Sequence, residues 1–123
     1  MDSNEIKEVI QTYFDASYES DGGKIAQVFH ANAHIYGHSE DGSLEDMDKA
    51  AFVNLVGAHG QSATPGFPRY NEIISIDFTG ENTAAARVKL RVFDTIYTDI
   101  LCFMRIGGTW GVISKVMSGA ACT

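Results

Sequence analysis

The chain has 123 residues, 45% hydrophobic and 20% charged, a balance that fits one globular domain (residues 1–123) with one core and excludes a disordered chain. Nine basic residues against 16 acidic ones give a net charge of −7, which argues against nucleic-acid binding because phosphate contacts need a basic surface. The start, MDSNEIKEVI, has no basic and apolar leader pattern, and no stretch approaches roughly 18 uninterrupted apolar residues, so a cytoplasmic protein with no membrane partner is expected.

Ile6, Val9, Ile10, Tyr13, Phe14 and Ser17 recur at helical spacing and predict an amphipathic helix over 3–19. Asp2 is placed to cap it, with Glu5 completing a capping box. Asp21-Gly22-Gly23 breaks the chain. Ile25, Val28 and Phe29 then mark a short second helix, which Asn32 helps to end. Residues 33–38 read as a strand with His34, Tyr36 and His38 on one face, followed by a turn at Asp41-Gly42. A third helix is expected from Asp46 to Val56, burying Phe52, Leu55 and Val56 and stopping at Gly57. The Gly-, Ser-, Thr- and Pro-rich stretch 57–69 has the length of a lid or binding loop, and its His59 could reach a pocket mouth.

From Tyr70 the hydrophobic period changes to two. Strands are predicted over 70–78, 83–93, 96–106 and 109–117, joined by connections short enough to require antiparallel neighbours. The fold class that follows is α+β: three N-terminal helices packed on a curved, mainly antiparallel sheet. Zinc-type CxxC pairs, a phosphate-binding GxxxxGKS loop, GxGxxG and GxSxG are all absent from the sequence. Cys102 and Cys122 are expected to be reduced thiols.

The order of these elements, together with IKEVIQTYFDASYESDGGKIAQVFHANAHIYG near the start and YTDILCFMRIGGTWGVISKV near the end, resembles the nuclear-transport-factor-2-like superfamily. That superfamily includes ketosteroid-isomerase-like and polyketide-cyclase-like proteins, and the resemblance is greatest to its "putative lumazine-binding" group. It implies a cone-shaped domain with a pocket between the concave sheet face and the helices, and a homodimer formed through the outer sheet face. Asp99 and Lys115 are the positions that match. Fold alone does not settle function.

Alternation along 96–106 puts Tyr97, Asp99, Leu101, Phe103 and Arg105 on one face, which is apolar apart from Asp99 and its end residues. With Asp94-Thr95 as the turn, Leu90 opposes Asp99. An aspartate in an apolar wall is a structural group, ion-paired or hydrogen-bonded to a tyrosine, or a tuned general base, or a ligand-recognition group. Ketosteroid isomerase, whose carboxylates are tuned by an apolar site, is a member of the superfamily this chain resembles. In the catalytic reading Asp99 is the base and Tyr36 the proton or oxyanion partner.

Lys115 joins Asp99 only if the last hairpin carries a one-residue shift, which a three-residue loop with a bulge would supply. A ligand, expected to be a small apolar or aromatic molecule, would meet Tyr13, Phe14, Phe29, Phe52, Leu101, Phe103 and Lys115. No cofactor is implied. No metal site is either, because His34 and His38 lie about 13 Å apart along a strand. The reverse face gathers Arg87, Lys89 and Arg91 with Ile100, Cys102 and Met104, and a second copy of the chain is its expected cover. Three functions remain open: a small-molecule-binding domain, a cofactor-free isomerase, dehydratase or cyclase, and a dimerisation module whose pocket is packed shut. A volume above about 300 Å³ beside Asp99 would oppose the last.

Overall fold

Helix α1 (Asn4–Glu19) buries Ile6, Ile10, Tyr13, Phe14 and Ser17 on one stripe, as the spacing predicts. A computed structural model describes residues 3–60 and 66–122, so the expected cap at Asp2 lies outside the described residues. Ser3 holds the N-cap position without a side-chain cap bond. The helix ends at Ser20, in the left-handed region at φ 58°. Its hydroxyl donates to Val56 O at 2.5 Å and accepts from Gly60 N at 3.1 Å, tying the end of α1 to the end of the third helix.

The Asp21-Gly22-Gly23 break also starts the next helix. Asp21 accepts from Lys24 N at 3.1 Å and caps α2 (Gly22–Val28). A Cβ on Gly22 would stand 3.0 Å from Val53 O, so glycine lets α2 and the third helix approach closely. The chain extends at Phe29, so strand β1 (Phe29–His38) begins earlier than expected and Asn32 lies inside it rather than ending a helix. A hairpin with Gly42 at φ 86° leads to β2 (Leu44–Asp48), a strand where the start of a helix was expected.

Asp48 then accepts from Ala51 N at 2.9 Å and sets the start of α3 (Lys49–Ala58). Phe52 and Val56 are buried as predicted, but Leu55 is 48% exposed. The helix runs through Gly57 and ends a residue later.

Strands β3 (Asn71–Phe78), β4 (Thr83–Val92), β5 (Thr95–Ile106) and β6 (Thr109–Ala121) complete a six-stranded sheet ordered β2-β1-β6-β5-β4-β3. Every neighbouring pair is antiparallel except β1–β6, which is parallel. The α+β expectation of three helices on a mainly antiparallel sheet therefore holds. One hydrophobic cluster joins α1, α2, α3 and the inner face of the sheet. No helix among the described residues is long and apolar enough to cross a membrane.

Two registers differ in detail from the sequence reading. The turn between β4 and β5 is Phe93-Asp94, with Phe93 at φ 53°, so Val88 rather than Leu90 opposes Asp99. A slip of two residues preserves which side chains face inward, so the face assignment survives. The last hairpin is a strict two-residue turn at Gly107-Gly108, and the one-residue shift comes from a bulge at Ile113 further along β6. Asp99 thereby opposes Met117, and Leu101 opposes Lys115.

Candidate functional site

The bulge decides the chemistry of the inner face. Without it Lys115 would point outward; with it the ammonium enters the space between the sheet and the helices. Asp99 is fully buried and Lys115 nearly so. They do not touch directly, since Nζ lies 3.9 Å from Asp99 Oδ2. Tyr13 of α1 bridges them: its hydroxyl donates to Asp99 Oδ2 at 2.5 Å and accepts from Lys115 Nζ at 2.8 Å. The Lys115 ammonium itself lies over two rings, with Nζ 4.1 Å from the centroid of Phe52 and 5.0 Å from that of Tyr13.

Burial is the leading electrostatic influence on both partners. It pushes the Tyr13 hydroxyl well above its ordinary value, and the Asp99 carboxylate adds to that rise. It pulls the Lys115 ammonium down, while Asp99 pulls it back up. Half-buried Tyr97 is raised by burial, then by Asp99 and Glu45. Among the described residues, Asp99 Oδ1 is buried without a hydrogen-bond partner.

A cavity of about 90 Å³ lies against this chain of polar groups. Its walls are Tyr13 and Ser17 of α1, Phe52 of α3, and Tyr97, Lys115 and Met117 of the sheet, and His59 also lines it. His59 Nδ1 is 2.7 Å from Gly60 O, and its ring meets Phe93 edge-on. The volume alone falls short of the 300 Å³ expected of a ligand pocket.

Of the residues singled out from the sequence, Tyr13, Phe52 and Lys115 reach the cavity. Phe14, Leu101 and Phe103 are packed in the core, and Phe29 supports the wall edge-on to Tyr13 and Phe52. Asp99 stands behind Tyr13 rather than on the cavity surface. Tyr36 is not beside it. Alternation along β1 buries Ala33 and Ile35 and turns Tyr36 to the opposite face, where it stacks on His34 at 6.1 Å. The aspartate's tyrosine partner is Tyr13 instead.

His34 is paired with Asp46 at 2.6 Å, and no three His, Cys, Asp or Glu residues cluster as metal ligands among the described residues. Cys102 and Cys122 are free thiols. Sequence reasoning did not single out Met117 as a wall residue, although its position opposite Asp99 follows from the shifted register.

The family described as "Putative lumazine-binding" matches residues 1–118. No curated protein matches the sequence. Among solved structures, an NTF-2-like protein of unknown function from Silicibacter pomeroyi is similar with a TM-score of 0.83 at 21% identity, covering 94% of this chain and 93% of that one. An NTF2-like protein of unknown function from Methylobacillus flagellatus gives 0.82 at 23%, covering 96% and 91%. A ketosteroid isomerase-like protein from Erwinia carotovora atroseptica gives 0.71 at 14%, covering 95% of each chain. At these identities the likeness is one of fold.

Proposed function

The chain belongs to the "Putative lumazine-binding" family, and on that premise we propose that it binds a small molecule between its helices and sheet, with Lys115 and Tyr13 as the polar contacts and Phe52 as the ring the ligand packs on. The observation carrying this reading is the Asp99–Tyr13–Lys115 chain, which brings a buried cation to a cavity wall. A cation in that position costs desolvation free energy, and a purely structural core would be as stable or more so with apolar residues of similar volume. Its ammonium has three donors, of which Tyr13 takes one. An acid–base role for Asp99 would have to act through Tyr13, which covers it, so binding is favoured over turnover.

Native mass spectrometry of freshly purified protein tests the reading. Wild type is expected to retain a small molecule that Lys115→Met loses. Identical spectra, with no retained mass in either, would overturn it.

The reading includes a homodimer closed over the outer sheet face. Supporting it are Ile100, Met104 and Val116, which are 40%, 37% and 53% exposed on that side. The same patch on two copies makes a self-complementary apolar contact.

A further inference from the structure

We propose that the chamber at Lys115 and a larger cleft beyond Tyr97 and Met117 form one two-compartment site, built for an elongated molecule with a neutral carbonyl head and an apolar tail. The proposal deepens the binding reading above and rests on it.

The cleft arises from the sheet itself. β1 and β6 pair as far as Tyr36 and Val116 and then separate. β1 goes on beside β2, through Gly37–Glu45 and His38–Leu44, while β6 goes on beside β5 as far as Ala121. Between the parting strands lies a space of about 700 Å³, walled by Leu44, Glu45, Val116 and Ser118 among others. Tyr97 and Met117 line both this cleft and the 90 Å³ chamber, so these two side chains form the partition between them.

Each partition side chain lies against a glycine of a neighbouring strand. A Cβ on Gly119 would stand 2.9 Å from Tyr97 Cε1, and one on Gly37 would stand 3.2 Å from Met117 Cε. The partition occupies its present place because both backbones lack a side chain there.

Volume and charge then define the occupant. The chamber is too small to enclose an ordinary ligand, whereas the cleft is of the usual size, so a ligand anchored at Lys115 must extend past the partition. Lys115 and Asp99 already balance one another through Tyr13. A carboxylate head would add an uncompensated buried charge, and Glu45 in the cleft opposes anions further. A carbonyl oxygen accepts from the Lys115 ammonium without changing the net charge. Met117 and Ala121, on the inward-facing side of β6, supply the apolar contacts for the tail.

The test uses 2-nonanone, 2-butanone and nonanoate with the full chain, read by titration calorimetry and by amide and side-chain chemical shifts. Nonanone is expected to bind at least about tenfold tighter than butanone, as its five further methylenes become buried. It should also bind at least about tenfold tighter than nonanoate, the uncompensated charge supplying that difference. Butanone should move signals of Phe52 and Lys115 only, and nonanone those of Gly37 and Gly119 as well. Gly119→Ala, which displaces Tyr97, should bring the nonanone-to-butanone ratio toward one.

Equal affinities for the two ketones, or nonanone shifts confined to the chamber, would overturn the two-compartment site while leaving binding at Lys115 intact. Nonanoate binding as tightly as nonanone would overturn the neutral head. No ketone binding, in a protein that retains another small molecule through Lys115, would overturn the ligand class alone. No ketone binding and no retained molecule would overturn both readings.

Discussion

The two faces of β5 depart from the usual inside-apolar, outside-polar division in opposite ways. Inward, Asp99, Leu101 and Phe103 are buried, and a carboxylate sits at the centre of the core wall. Outward, Ile100 and Met104 remain 40% and 37% exposed beside Arg87 and Lys89 of β4. The inner face carries a charge that a core does not need, and the outer face carries apolar surface that water disfavours. Local choices that conflict with the global pattern are where function is expected, so the contrast points to a binding site on one side and an interface on the other.

The inner face should be the more sensitive. Asp99→Leu removes the counter-charge of a cation that is itself almost fully buried, and a loss of about 3–5 kcal/mol is expected in urea unfolding. The sharper form of the experiment adds Lys115→Met and Tyr13→Phe. Replacing the whole polar chain with apolar groups should restore most of the lost stability, because the desolvation cost disappears with the charges. A triple variant as unstable as Asp99→Leu would mean that packing at position 99, not its charge, makes the inner face distinctive.

That contrast was half visible in the sequence. Alternation along β5 identified which residues face inward, because a period of two is insensitive to a slip of two; the misplaced β4–β5 turn changed Asp99's neighbour but not its face. The side on which Lys115 lies was less legible. It hangs on one bulge at Ile113, and no residue type there signals a bulge. The choice of tyrosine was also hidden, since Tyr13 and Asp99 are 86 residues apart and only packing of α1 on the sheet joins them. Tyr36 shared the right chemistry, but β1 turns it to the opposite face. The strand β2 was missed because LEDMD has no alternating apolar pattern; its pairing with β1 supplies what propensity lacks.

A smaller inner-face effect is expected from Tyr13→Phe. Removing the hydroxyl leaves Asp99 Oδ2 and Lys115 without their bridge, at a cost of about 1–3 kcal/mol. The same variant isolates a pH dependence. Tyr13 holds its proton more tightly folded than unfolded, so its contribution is complete below the ordinary value of 10.0 and is lost as pH rises above it. Lys115 runs the other way: its lowered pKa means that stability rises as pH climbs toward 10.5 and is flat beyond. The wild-type melting temperature should therefore fall most steeply above pH 10.5. Tyr13→Phe should flatten that fall, and an unchanged slope would detach Tyr13 from it.

The outer face should respond least in folding and most in assembly. Val116 is 53% exposed, so Val116→Asp removes little buried area, and a change within about 0.5 kcal/mol is expected for the monomer. In a dimer closed over this apolar face the same aspartate would be forced against its own copy or against apolar surface. Sedimentation should then show wild type at twice the mass of the variant at micromolar concentration, with both melting alike once diluted. Equal masses would leave the exposed Ile100, Met104 and Val116 as ordinary surface, because an interface centred on them cannot accept a charge there without loss.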